Sequence, residues 1–406
     1  MKWKLYIPIF IFLFSSCEKN QDENNILLKF YGNAFEDIGY SVALTDDGYI
    51  ISGQLTEMVS YTDGEKAVKK PGIIKVGNDG KLIWKTCISD RQTGVALKVI
   101  SLDDGSVIST GFIIDSSTLR RKLMVVRLNP EGSVALQKVY GNSGNQSGTD
   151  IIKTTEGFMV LGTTDVERQP LTEATGNMSG KTDVLLLRIN NNLEQIVVPT
   201  AIGYLGNDAG SVIKKDINGG YIVAGTTDRS ESGKAGNNIF LLKINSDGSA
   251  TQPVIFDNSD DEYAADIEIL SDGYLIAGTV GADGTDQSVY ISKISKNIYD
   301  APLLINKIKI PSTSSSINSF SVKAISRYKT SSFVMAGLAG SGSSAKMLIF
   351  IADAEGNPVP GKVMIAGSTG SQIAYDVVSE TGGDIIAVGK NSYEKTSMIS
   401  LLKFRF

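Results

Sequence analysis

Gly219-Gly-Tyr-Ile-Val-Ala-Gly-Thr-Thr227 is the clearest copy of a phrase that organises the whole chain. A short apolar run set between glycines reads as a strand entered through a tight turn, because Gly supplies the positive φ that such turns need. The same phrase returns along the chain. It reads Asp47-Gly-Tyr-Ile-Ile-Ser-Gly53, Asp104-Gly-Ser-Val-Ile-Ser-Thr-Gly111, Glu156-Gly-Phe-Met-Val-Leu-Gly162, Asp272-Gly-Tyr-Leu-Ile-Ala-Gly278, Ser332-Phe-Val-Met-Ala-Gly337 and Gly383-Asp-Ile-Ile-Ala-Val-Gly389. The seven copies recur at a mean spacing of about 56 residues, which suits a four-stranded propeller blade with generous loops.

Each unit supplies four strand signals. Strand A precedes the phrase, as in Ser41–Thr45, Asp150–Thr154 and Asp266–Leu270, and strand B is the phrase itself. Strand C ends in a basic residue and a hydrophobe in six units, at Lys75, Arg127, Arg188, Lys243, Lys293 and Lys403. Turns such as Asn78-Asp79-Gly80, Pro130-Glu131-Gly132 and Ser246-Asp247-Gly248 then open strand D. The expected fold is all-β, a seven-bladed β-propeller of four-stranded blades. The seventh unit stops at Phe406 with no strand D, while Lys29-Phe-Tyr-Gly-Asn33 near the start matches Lys138-Val-Tyr-Gly-Asn142 at the close of unit two. Ile26–Tyr31 is therefore expected to complete the last blade and remove an exposed sheet edge.

The first 25 residues read as an address. Met1-Lys-Trp-Lys4, the apolar run Leu5–Phe14 and Ser15-Ser16-Cys17 form a basic region, a short hydrophobic region and a small-residue cleavage site. The apolar run is too short to span a bilayer. The expected organisation is a signal peptide at 1–16, a lipidated Cys17 with an acidic tether at 17–25, and one propeller domain at 26–406. An ordinary secretory signal with a coincidental cysteine is the alternative. Glu18 to Asn25 carries no hydrophobe and cannot pack, so it reads as solvated chain.

The Cys17 segment resembles a lipoprotein signal, with Phe14 where Leu is usual. The acidic tract after it resembles the export signal of Bacteroidota-type surface lipoproteins, and Gly219–Thr227 resembles the repeat of secreted bacterial β-propeller lipoproteins, more distantly kelch-like repeats. That resemblance implies an outer-membrane, lipid-anchored protein facing the cell exterior, with a periplasm-facing lipoprotein as the alternative. Lys75–Trp84 is similar to one repeat of quinoprotein-type propellers, but one unit alone keeps the Trp, so no quinone cofactor is expected.

Composition excludes much chemistry. The chain of 406 residues has no His and two Cys. No imidazole base, Ser-His-Asp triad or His-ligated metal can be built from it. A net charge of −5 argues against nucleic acid as a partner. Cys87 reads as a buried small hydrophobe.

The connections between strands B and C vary most in length: Gln54 to Pro71, Thr163 to Lys181 and Thr226 to Asn237 are long, and Ala339 to Ser344 is brief. These loops share a face with the D–A connections, and long loops on a rigid frame carry binding. Ser41, Asp150, Ser211, Asp266 and Asp376 are read as strand A starts crowding the channel mouth on that face, a polar ring for a cation or sugar hydroxyls. Lys98 and Lys323 fall near the corresponding places. The weightier alternative is that each side chain caps the D–A turn through its own backbone. The strand C basic residues are read as a repeated contact with a carboxylate or carbonyl, and Phe158, Tyr49, Tyr221 and Tyr274 as interblade core. Asp257–Glu262 lacks EF-hand spacing and offers calcium a loose hold at most, so no metal or cofactor is expected.

The expected function is binding or scaffolding, as an accessory subunit of an outer-membrane complex or a binder of extracellular glycan. The alternative is a glycoside hydrolase that works through carboxylates, with Asp150, Asp266 and Asp376 as candidate catalytic groups.

Overall fold

The computed structural model describes residues 26–141, 144–166, 182–203, 206–230, 233, 236–257, 260–281, 286–310, 317–394 and 396–406. The leader, Cys17 and the tether lie outside them, as do most of Thr163–Lys181 and parts of Thr226–Asn237 and Asp257–Glu262.

The strands follow the chain blade by blade. The first strand, β1 (Leu27–Tyr31), precedes blade 1, which holds β2 (Ile38–Thr45), β3 (Gly48–Tyr61), β4 (Gly64–Gly77) and β5 (Leu82–Cys87). Blade 2 holds β6 (Gly94–Ser101), β7 (Val107–Ile114), β8 (Arg121–Leu128) and β9 (Val134–Tyr140). Blade 3 holds β10 (Gln146–Lys153), β11 (Gly157–Thr164), β12 (Asp183–Asn190) and β13 (Thr200–Ile202). Blade 4 holds β14 (Asp208–Lys215), β15 (Tyr221–Thr227), β16 (Asn238–Ile244) and β17 (Val254–Phe256). Blade 5 holds β18 (Glu262–Ile269), β19 (Gly273–Val280), β20 (Ser288–Ser295) and β21 (Leu304–Ile308). Blade 6 holds β22 (Phe320–Tyr328), β23 (Ser332–Ala339), β24 (Lys346–Ala352) and β25 (Pro358–Ala366). Blade 7 holds β26 (Ser371–Ser379), β27 (Ile385–Tyr393) and β28 (Thr396–Phe404).

Each blade is an antiparallel meander, and blade 7 takes β1 as its fourth strand. The register runs from Leu27 opposite Lys403 to Tyr31 opposite Ile399, so the ring closes as the repeat phase requires. The Tyr31 hydroxyl donates to Gly80 O of blade 1 at 2.7 Å and ties the closing strand to the next blade.

The core lies between blades. Val184 to Leu187 of β12 are all buried, because both faces of a blade pack on neighbours. Ile239, Leu241 and Phe256 of blade 4 meet Tyr274, Ile276 and Tyr290 of blade 5. Fully burying such a side chain contributes about 1.5–3 kcal/mol. Tyr49, Phe158, Tyr221 and Tyr274 are all buried in these interblade layers.

The glycine that ends each phrase has a steric cause. Strand A bulges in every blade, between Gly39/Ser41, Ala96/Lys98, Gly148/Asp150, Gly210/Val212, Ala264/Asp266, Val322/Ala324 and Ala374/Asp376. The bulge drives a strand A carbonyl against strand B. A Cβ on Gly53, Gly111, Gly162, Gly225, Gly278, Gly337 or Gly389 would stand 1.8–2.4 Å from that oxygen. Only glycine fits.

Two expectations need correction. Strand A starts earlier than the repeat alone suggests: Ser41, Asp150, Asp266 and Asp376 are the fourth to sixth residues of β2, β10, β18 and β26, just past the bulge. Gln54–Pro71 is no loop. Strands β3 and β4 run on as a hairpin paired from Gly48/Gly77 to Tyr61/Gly64. Its register lets Leu55 and Val68 bury one side while Met58 faces out.

Cys87 lies half-buried on β5. Burial, then the Glu57 carboxylate beside it, pushes the thiol up to about 12. In protein carrying Cys17→Ser, we expect no reaction of Cys87 with a disulfide reagent at pH 8 until denaturant is added. Stoichiometric release of chromophore from the native protein would contradict this.

Candidate functional site

The strand A bulges fix two rings around the channel. The inner ring is the residue after the bulge: Ser41, Lys98, Asp150, Val212, Asp266, Ala324 and Asp376 in blades 1 to 7. Ser211 and Lys323 fall one residue early, in the bulges themselves. Four of the five expected ring residues thus share a level, and Ser211 does not.

The three aspartates make the same two contacts. Oδ1 accepts the N–H of the next residue, Ile151, Ile267 or Val377, at 2.8–2.9 Å. Oδ2 accepts an N–H from strand A of the following blade: Ile213 at 2.9 Å, Ile325 at 3.1 Å and Val42 at 3.1 Å. The carboxylates therefore staple blade 3 to 4, 5 to 6 and 7 to 1. They do cap backbone, but at the bulge and across the blade seam rather than at the D–A turn.

Asp376 carries the most. Its Oδ2 also accepts from Ser41 Oγ at 2.9 Å and lies 3.3 Å from Lys98 Nζ. Burial opposes the Lys98 ammonium, but the charges of Asp376, Asp150 and Asp266 outweigh it, and its pKa lies above the ordinary lysine value. Lys214 Nζ stands 3.5 Å from Asp266 and 3.8 Å from Glu268. Against burial, those two charges raise its pKa also. Burial raises Asp150, with Lys98 pulling the other way. The channel is a compensated network of carboxylates and ammoniums. Among the described residues, no group of three or more Asp, Glu or Cys side chains gathers as a metal centre.

The outer ring is the bulge residue itself: Tyr40, Leu97, Thr149, Ser211, Ala265, Lys323 and Tyr375. Here the face opens. Tyr40 and Tyr375, of blades 1 and 7, lie with ring centroids 4.9 Å apart and planes tilted by 48°. Burial, with the neighbouring Tyr40 and Glu36, pushes the Tyr375 phenol up to about 12. Across the mouth, a cleft of about 550 Å³ is lined by Ser211, Tyr263, Gln287, Ser321, Lys323 and the Gly340–Gly342 loop among others. Ser211 Oγ donates to Ala264 O at 2.7 Å, just as Thr149 Oγ1 donates to Gly210 O at 3.0 Å. Reasoning from sequence missed Tyr40 and Tyr375. Each immediately precedes a residue it did select, Ser41 and Asp376, and the shared Tyr-polar pair was the available signal.

The strand C basic residues do what recurrence suggests. Lys75, Arg127, Arg188, Lys243 and Lys293 each pair with a carboxylate at their own blade's A–B turn: Asp47, Asp104, Glu156, Asp216 and Asp272. Lys403 reaches Glu380 and Asp384. The Tyr49 and Tyr274 hydroxyls cross the seam to Glu380 and Asp216. These contacts lie on the face opposite the loops and commit all six cations to carboxylates rather than to an anion from outside.

No family model and no curated protein matches the chain. Solved structures do. The Pan2 WD40 domain of Neurospora crassa is 11% identical with a TM-score of 0.52, covering 91% of this chain and 89% of that one. Uncomplexed acylaminoacyl peptidase of Pyrococcus horikoshii is 10% identical with a TM-score of 0.49, covering 91% and 52%. A protein of unknown function from Bacteroides caccae is 13% identical with a TM-score of 0.40, covering 86% and 98%. The chain spans about half the length of the acylaminoacyl peptidases it matches. At such identities the likeness is one of fold: this is a seven-bladed β-propeller.

Proposed function

We propose that the protein is a non-catalytic binding module whose loop-rich channel mouth takes a hydroxyl-rich ligand, a glycan chain or its end. One observation carries the reading. The carboxylates a hydrolase would need have both oxygens engaged by backbone N–H groups of two blades, while the mouth above them offers paired tyrosines and a polar cleft. Aromatic faces with convergent polar groups suit a sugar ring, and a cleft of this size suits a small ligand. The lipid anchor at Cys17, display on the outer membrane toward the exterior, and kinship with Bacteroidota-type surface lipoproteins belong to the same proposal. They rest on the leader, the tether and the repeat phrase.

Affinity electrophoresis through a panel of polysaccharides, with reducing-end assays on the same panel, tests it. Retention by at least one glycan is expected. Tyr40→Ala with Tyr375→Ala should weaken it roughly tenfold, the scale for losing a central aromatic contact. Turnover abolished by Asp266→Asn would establish the hydrolase instead. Capture of an outer-membrane protein complex with no glycan retained would replace the ligand with a protein partner.

A further inference from the structure

The junctions between blades, on the loop-rich face, each place the start of one strand C beside the start of the next blade's strand A. Register makes the positions comparable. Asp183 pairs with Thr164, two residues past Gly162, and Lys346 pairs with Ala339, two past Gly337. Asp208 and Gln372 each lie two residues before the position opposite Gly225 or Gly389. Asp183 and Asp208 at the blade 3/4 junction therefore stand where Lys346 and Gln372 stand at the blade 6/7 junction.

At blades 6/7 the place is filled by a positive charge. The Lys346 ammonium donates to Ser368 O, to Gly370 O at 3.3 Å and to Gln372 Oε1 at 3.4 Å. At the blade 5/6 junction, where Ser288 holds the strand C position, an ammonium arrives instead from just past β21: Lys309 donates to Asn318 O at 2.9 Å, Asp286 O and Gln287 O at 3.2 Å, and Asp286 Oδ1 at 2.6 Å. These turns form oxygen-lined seats for a cation.

At blades 3/4 the described residues place a carboxylate, Asp183, at the position where Lys346 has its ammonium, beside a second carboxylate, Asp208. Asp183 is 6% exposed, and its Oδ1 accepts no hydrogen bond. That oxygen and Asp208 Oδ2 converge on Gly203: a Cβ there would meet them at 2.0 and 2.8 Å. Burial and the neighbouring Asp208 charge push the Asp183 carboxyl up to about 6, as like charges placed close together require. We propose that Asp183 and Asp208 bind a free hard cation, calcium, in the seat that Lys346 fills elsewhere in the ring. Calcium accepts about 6–8 oxygens in irregular array, carboxylates with main-chain carbonyls and water, whereas magnesium demands near-octahedral order.

Calorimetric titration with calcium chloride, magnesium chloride as comparison, and thermal melts in calcium or chelator test this on the whole chain. Wild type should bind one calcium with millimolar or better affinity and melt several degrees higher with it. Asp183→Asn and Asp208→Asn should each lose at least the roughly 10–100-fold that removal of even an outer-shell partner costs. Asp183→Lys rebuilds the blade 6/7 arrangement. It should melt in chelator like calcium-loaded wild type and ignore added calcium, which keeps the test informative if the Asn variants fold poorly. No calcium-dependent shift in wild type, or undiminished calcium affinity in Asp183→Lys, overturns the proposal.

Discussion

Deletion of residues 26–31 is expected to lower stability by about 3–7 kcal/mol, five ladder positions at roughly 0.5–1.5 kcal/mol each, and to promote association of the opened ring. Without β1, the outer edge of β28 from Ile399 to Lys403 loses its partner, and Tyr31 no longer holds Gly80. An unpaired edge of that length invites pairing with another chain. Urea unfolding followed by fluorescence, with light scattering, measures both effects. The converse construction is sharper. Leu27 lies opposite Lys403, so a chain in which Phe404 is joined by an Asn-Asp-Gly turn to Leu27, with the original first strand removed, places strand D where the other blades have it. That permutant should recover wild-type stability within about 1 kcal/mol. A deletion variant as stable as wild type, or a permutant no better than the deletion, would show that β1 is not what closes the ring.

The ring was legible because its signals are local and repeated. Each acid-Gly turn, apolar run and terminal Gly depends on a few neighbouring residues, and seven copies average out exceptions such as Ile351, which replaces the strand C basic residue in blade 6. The candidate site was less legible because the bulge is not local. One extra residue in strand A becomes visible only against its partner strand, so Ser211 reads as the counterpart of Asp150 although Val212 holds that level. Tyr40 and Tyr375 are themselves the extra residues of their bulges, so nothing local marks them. The hairpin of β3 and β4 was hidden by composition. Its outer half is polar, with Lys66, Lys69 and Lys70 along one strand, but Asp63-Gly64 at its tip is the same turn signal that marked every other hairpin. The Asp183/Asp208 pair shows itself only when one blade junction is compared with another.

Replacement of Asp376 by Ala is expected to cost about 2–6 kcal/mol, two buried backbone donors left without an acceptor at roughly 1–3 kcal/mol each, and far more than the same change at Asp47, where an exposed pair contributes about 0–1 kcal/mol. Asp376 Oδ2 serves Ser41 Oγ, Val42 N and Lys98 Nζ together, and Oδ1 serves Val377 N. Truncation strands two backbone donors and leaves Lys98 with the more distant Asp150 and Asp266. Asp376→Asn keeps an acceptor for the backbone but loses the charge, so it should fall between wild type and Ala. Lys98→Met in the Asp376→Asn background should recover part of the loss, because it removes the ammonium that had lost its counter-charge. The pH dependence has a fixed sign. The Lys98 pKa is raised in the folded state, so its contribution is fully present below the unfolded lysine value, about 10.4, and is lost only as pH rises through the higher folded value. Wild type and Lys98→Met should therefore show a constant difference in unfolding free energy from neutral pH to about pH 10, narrowing above it. A staple predicts loss of stability from every Asp376 variant in proportion to the contacts removed. A catalytic carboxylate predicts the opposite pattern, near-native melting of Asp376→Asn with activity gone, and denaturant titration of the four proteins separates the two.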